Sequence, residues 1–272
     1  MKLRNKRVLV TGGGSGIGLA LAVALLRAGN RVFIAGRNSQ KLNAAVVRNP
    51  GLTAIHCDIA SVADAERAVA WMEHEQGGLD VLVNNAAIGL PYTFLRDLEA
   101  ANKAECEILT NLVGTIRLTH LFLPQLLRQP SAAIITITSG LAVAPAPGAP
   151  GYSASKAGLH SFLVSLRAQL RQTTVKVFEV QPPMVATDLV KDAQVRKMTP
   201  EAVAKWVVCG VERDLYEITI AEVRLMHLFA RALPGLLNKF LIRYPISLAK
   251  VEEREESIIS GACDSSPSSP LA

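Results

Sequence analysis

A glycine-dense turn, Thr11-Gly12-Gly13-Gly14-Ser15-Gly16-Ile17-Gly18, separates a short β-rich run, Arg7–Val10, from an Ala/Leu-rich helical pattern, Ile17–Ala28, that Gly29 closes. A strand that ends abruptly and passes the chain to a closely packed helix is the arrangement such a turn permits. The alternation then repeats: strand Arg31–Ala35, helix Ser39–Arg48, strand Thr53–Cys57, helix Val62–Gln76, strand Leu79–Val83. A longer helical stretch around Glu105–Leu127 follows, then strand Ala132–Thr138, helix Tyr152–Gln172, strand Val175–Val180 and a last strand near Glu217–Ala221.

Strands that alternate with helices run parallel, and right-handed crossovers cover both sheet faces. The expected fold class is α/β: a doubly wound parallel sheet of about seven strands with helices on both faces, of the Rossmann type, with its ligand crevice at the strand C-terminal ends. The 272 residues are half apolar and poor in aromatics, which suits such a buried sheet. A single dinucleotide-binding catalytic domain is expected over residues 1–250. It includes a basic amphipathic helical segment from about Arg224 to Leu248, interrupted by Pro234-Gly235. That segment is expected to pack on the domain or a subunit partner, with peripheral contact to an anionic membrane the rival placement. Residues 251–272, acidic from Glu252 to Glu256 and then Ser/Pro-rich, are expected to be disordered.

The net charge is +6, but Lys and Arg are scattered rather than interleaved with aromatics, so nucleic acid is not an expected partner. Cys57, Cys106, Cys209 and Cys263 are too far apart for metal spacing and read as reduced thiols. The start of the chain carries no signal-peptide pattern, and no apolar run is long enough to span a bilayer, so a cytoplasmic location is expected.

Backbone N–H groups at the first helix N-terminus favour a pyrophosphate, and Gly12, Ser15, Gly16, Ile17 and Gly18 are assigned to it. Gly12 permits the tight turn, Gly16 lets the backbone approach the phosphates, and Gly18 lets the helix pack on the sheet. An acid about 20 residues on would bind the 2′-hydroxyl of NAD, but Gly36-Arg37-Asn38 stands there. The Arg37 guanidinium suits a 2′-phosphate, so NADP(H) is expected in preference to NAD(H). Tyr152 and Lys156, four residues apart, share one face of a helix. A nearby ammonium and a cationic nicotinamide would lower the phenol pKa from near 10, making it a usable acid or base. Ser139, at the end of the Ala132–Thr138 strand, lies on the crevice side, where its hydroxyl can hold a carbonyl oxygen.

In this order, Thr11-Gly12-x-x-x-Gly16-x-Gly18, Asp58, Asn84-Asn85-Ala86, Asn111, Ser139, Tyr152-x-x-x-Lys156 and Pro182 through Thr187 resemble the short-chain dehydrogenase/reductase family in its short single-domain form, over about residues 4–225. The resemblance implies that Asp58 and Ile59 meet the adenine, Asn84 and Ala86 line the adenosine side, and Pro182, Val185 and Thr187 hold the nicotinamide. It also implies that Asn111 anchors a water linking Lys156 to solvent, that Lys156 binds the nicotinamide ribose, and that the protein is a homodimer or homotetramer. Ala87 and Pro183 stand where that family usually has glycine. The Pro182–Asp188 variant, with Gly36-Arg37-Asn38 and Leu127–Pro130, is similar to the oxidoreductase branch named for D-alanine esterification of teichoic acids.

The implied function is an NADP(H)-dependent oxidoreductase moving a hydride between the nicotinamide and a carbonyl or alcohol, with Tyr152 as general acid/base. Apolar or small residues over Gly140–Pro150 and Met184–Met198 suggest an uncharged, hydrophobic small-molecule substrate. Two rivals are a cofactor-binding regulatory protein without turnover and an epimerase or dehydratase that retains its cofactor. A pure binding module has no need of the Asn111, Ser139, Tyr152 and Lys156 set.

Overall fold

The computed structural model describes residues 1–182, 198–219 and 221–232, together with Gly235. Seven strands form one parallel sheet in the order β3-β2-β1-β4-β5-β6-β7. They are β1 (Arg7–Thr11), β2 (Arg31–Gly36), β3 (Leu52–His56), β4 (Val81–Asn84), β5 (Ala132–Ile137), β6 (Val175–Gln181) and β7 (Glu217–Thr219). The strand order reverses between β1 and β4, so their C-terminal ends open the crevice that this topology uses for ligands.

Residues alternating along each strand divide the core in two. Val8, Val10, Ile34, Val83 and Ile135 point to one face, where α1 (Gly16–Arg27), α2 (Ser39–Arg48) and α7 (Pro200–Glu212) cover them. Leu9, Phe33, Leu82 and Ile134 point to the other, under α3 (Val62–Gln76), α5 (Thr115–Leu127) and α6 (Pro150–Gln169). Both faces are therefore apolar, which is why the strands read as nearly continuous hydrophobic runs.

Three elements differ from the expectation. The helix expected over Glu105–Leu127 begins earlier, as α4 (Ala100–Glu107), and passes through a π-helical stretch, Ile108–Gly114, before α5. Helix α7 was not anticipated, although Thr199 caps it by accepting the Ala202 N–H at 3.2 Å and Pro200 occupies its first turn. The last strand is shorter than expected, ending at Thr219, and α8 (Ala221–Ala232) follows. Apart from Gly235, the remainder of the expected 224–248 segment and the 251–272 tail lie outside the described residues. No helix among the described residues is long and apolar enough to cross a membrane.

Candidate active site

The glycine turn is fixed by the end of β4. Thr11 Oγ1 accepts the N–H groups of Asn85 and Ala86, at 2.9 and 3.0 Å, and Asn85 Nδ2 donates to the Thr11 carbonyl at 2.9 Å. Gly12 adopts φ +63°, a left-handed conformation that a Cβ would strain. A Cβ at Gly18 would lie 2.3 Å from the Gly12 carbonyl oxygen, so α1 could not sit this close to the turn with any other residue.

This turn is one wall of a cleft lined by Gly12, Ser15, Arg37, Asn38, Asp58, Ile59 and Ala86, all assigned from the sequence, and by Lys41 and Thr110, which were not. Arg37 lies 3.9 Å from Asp58, and Asn38 caps α2 by accepting the Lys41 N–H at 2.8 Å. A shape that only glycine permits, with Arg37 and Lys41 in the same lining, fits a dinucleotide. Lys41 lies one turn into α2, where sequence reading alone takes it for a solvated helix face. Gly16, Ile17, Gly18, Asn84, Tyr152, Lys156 and Pro182 are not among the residues that line this cleft, and the Asn84 side chain turns into the core, where Nδ2 donates to Thr119 Oγ1 at 2.9 Å. Pro182 is buried at the end of β6, and Val185 and Thr187 lie outside the described residues.

Ser139, Tyr152 and Lys156 converge beside β5. Ser139 Oγ accepts the Leu141 N–H at 3.1 Å, which leaves its own hydrogen for the Tyr152 oxygen it faces. The buried Lys156 Nζ donates to the Ile137 carbonyl at 3.0 Å and lies 5.5 Å from the centre of the Tyr152 ring. Burial pushes the Tyr152 phenol up to about 12, against the opposing pull of the Ser139 hydroxyl, and pushes Lys156 down to about 8. In the protein by itself burial thus outweighs the lowering of the phenol expected from Lys156.

Asn111 occupies the π-helical stretch, whose wider turns often mark functional positions. Its buried amide is committed: Oδ1 accepts the Ile88 N–H and Nδ2 donates to the Ile88 carbonyl, both at 2.8 Å, and Nδ2 also reaches Ser155 Oγ at 3.2 Å. Ser155 in turn donates to the Tyr152 carbonyl at 2.7 Å. Two fully buried carboxylates were missed: Glu107, next to the π-helical stretch, and Glu179, on β6. Their signal in the sequence was an acid inside an otherwise buried pattern, which requires a partner.

The family model described as short chain dehydrogenase matches residues 6–197. The uncharacterized oxidoreductase DltE of Bacillus subtilis is 41% identical over 229 residues, covering 82% of this chain and 91% of that protein. Oxidoreductase asL5 of Sarocladium schorii is 31% identical over 195 residues, covering 71% and 77%. Among solved structures, a short chain dehydrogenase of Burkholderia cenocepacia in complex with NADP superposes with a TM-score of 0.79 at 27% identity, covering 89% of this chain and 99% of that one.

Proposed function

The chain belongs to the short-chain dehydrogenase family of oxidoreductases, and from that membership we propose that it is an NADP(H)-dependent reductase of carbonyl groups in uncharged, hydrophobic small molecules. A bound NADPH supplies the hydride. Tyr152 donates the proton to the carbonyl oxygen while the Ser139 hydroxyl hydrogen-bonds the same oxygen. Lys156 holds the nicotinamide ribose and restores the phenol by proton relay. The Asn111 amide is committed to Ile88, so a water of that relay is held by the Asn111 main chain rather than its side chain. Arg37 and Lys41 bind the 2′-phosphate, and Pro182, Val185 and Thr187 the nicotinamide. The 140–150 segment forms the apolar side of the substrate site.

The observation that carries this reading is the convergence of the Ser139 hydroxyl, the Tyr152 phenol and the Lys156 ammonium at the sheet's C-terminal edge. The half-buried phenol holds its proton at neutral pH, and the Lys156 ammonium beside its ring would strengthen it as an acid. The Bacillus relative is an oxidoreductase, and the Burkholderia relative was solved with NADP, both in accord with the cofactor assignment.

The test is single-turnover oxidation of NADPH, compared with NADH, against a panel of aldehydes and ketones. Turnover is expected with NADPH and apolar carbonyls, reduced about 100- to 10,000-fold in Tyr152→Phe. Tight NADPH binding without turnover on any carbonyl would favour the regulatory reading. Preference for small charged keto acids would overturn the substrate class.

A further inference from the structure

Helix α6 carries Tyr152 in its first turn, yet it has no cap of its own. Ala149 stands at the N-cap position and supplies no side-chain hydrogen bond, so the early N–H groups of the helix need partners from elsewhere. Two side chains from outside the helix provide them. The Tyr92 hydroxyl accepts the Gly151 N–H at 2.9 Å, and the Glu107 carboxylate accepts the backbone N–H of Tyr152. Tyr92 also donates to Glu107 Oε2 at 2.8 Å, while Glu107 Oε1 accepts the Leu90 N–H at 2.8 Å. The fit is close: a Cβ on Gly151 would lie 2.4 Å from the Tyr92 hydroxyl and 2.6 Å from Glu107 Oε2.

We propose that Glu107 is a positioning residue for Tyr152: its carboxylate fixes the first turn of α6, and its negative charge keeps the proton on the phenol. This rests on the reading of Tyr152 as the proton donor. A carboxylate this deeply buried is weakly screened, so its field reaches the phenol and opposes a second negative charge there. The groups that face it are few. From the segment before α4 comes the Tyr92 phenol, and one turn back on Glu107's own helix stands Lys103, ion-paired at 3.1 Å with Asp97. From α6 come the Tyr152 phenol and, one turn on, the Lys156 ammonium turned to the Ile137 carbonyl. The Tyr152 phenol is raised by burial and also by Glu107, with Ser139 opposing.

One carboxylate thus performs two tasks on the same residue. As an acceptor it orients the backbone that aims the Tyr152 ring, and as an anion it opposes a phenolate at the end of that ring.

The test reads the phenol directly, in protein labelled biosynthetically with 3,5-difluorotyrosine, whose ionisation falls near neutral pH. Among the four tyrosines of the sequence, the ¹⁹F resonance of residue 152 is the one lost in Tyr152→Phe. In Glu107→Gln its midpoint is expected to fall by about one pH unit relative to the native protein. Glu107→Met, uncharged and of similar length, carries the same expectation if the amide variant does not fold. Tyr92→Phe removes a capping hydroxyl but keeps the charge, and is expected to leave the midpoint unlowered. An unmoved midpoint in folded Glu107→Gln overturns the proposal, as does an equal fall in Tyr92→Phe, which would mean that a loosened helix start and not the charge sets the phenol. The titration needs no turnover, so full activity in Tyr152→Phe would sink the donor reading while leaving the Glu107 result to be judged separately.

Discussion

Glu107 and Glu179 are equally buried, and both stand one layer behind the side chains assigned to proton transfer, but they are held in different company. Glu107 is surrounded by donors that carry no formal charge: the Leu90 and Tyr152 N–H groups and the Tyr92 hydroxyl. Desolvation prevails there and its carboxyl is raised. Glu179 accepts from Thr138 Oγ1 at 2.7 Å and Gln181 Nε2 at 3.0 Å, and pairs with His160 Nδ1 at 2.8 Å. Its carboxyl is lowered in spite of burial, and His160 is raised by the hydrogen bond to Glu179. Depth alone does not decide the charge of a buried acid; the partners do.

The partners also decide what each acid holds together. Thr138 precedes Ser139, Gln181 precedes Pro182, and His160 lies one turn beyond Lys156, so Glu179 ties together the three elements that converge on the site. Glu179→Ala would strand a hydroxyl, an amide and an imidazolium around a cavity. The expected cost is about 3–5 kcal/mol, the usual range when one partner of a buried pair is removed. Urea unfolding at pH 6 measures it. A loss below about 1 kcal/mol would mean that water replaces the carboxylate and that the contrast with Glu107 has no energetic content.

A gentler change converts one environment toward the other. His160→Gln keeps a hydrogen-bonding side chain but removes the cation, leaving Glu179 among neutral donors as Glu107 is. The expected loss is about 1–3 kcal/mol, the range for a charge-assisted hydrogen bond. Its pH dependence follows from the two shifts. His160, raised from 6.5, contributes stability that is complete below that value and lost as pH rises through its folded pKa. Glu179, lowered from 4.5, contributes stability that is present above that value and lost as pH falls through its folded pKa. The difference between native and variant should therefore be greatest between pH 4.5 and 6.5 and shrink on both sides. Glu217 and Arg167 also face His160, with opposing effects. A difference independent of pH would assign the loss to packing instead.

The sequence carried the frame of this molecule more fully than its interior wiring. Buried parallel strands such as Arg31–Gly36 read as apolar runs, and the glycine turn, Ser139 and the Tyr152/Lys156 pair lie where strand ends and helix starts must meet the crevice. The start of α7 was passed over, although Thr199-Pro200 is a recognisable helix start. The π-helical stretch was not legible, because Ile108–Gly114 keeps a nearly helical apolar pattern while its hydrogen bonding widens. Glu179 stood out as an acid in a strand buried on both faces, but its donors come from 2, 19 and 41 residues away. Tyr92 and Glu107 have meaning only against the first turn of α6, a contact that no periodicity encodes.

The smallest expected effect discriminates most finely, because it concerns sign. Glu107, raised from 4.5, favours folding while protonated, and that contribution is lost as pH rises from 4.5 through its folded pKa. Glutamine cannot ionise and avoids the loss, although it gives up the stronger hydrogen bonds of a carboxylate. Near neutral pH the two effects oppose, and Glu107→Gln should change stability by less than about 1 kcal/mol. The slope is the sharper reading: the stability of Glu107→Gln relative to the native protein should improve as pH rises above 4.5. Glu179→Gln should do the reverse, losing ground on the native protein as pH rises from acid toward 4.5. Urea unfolding of both variants from about pH 2 to 8 compares the two slopes. Slopes of the same sign would mean that the neutral donors around Glu107 hold its charge as firmly as an imidazolium does.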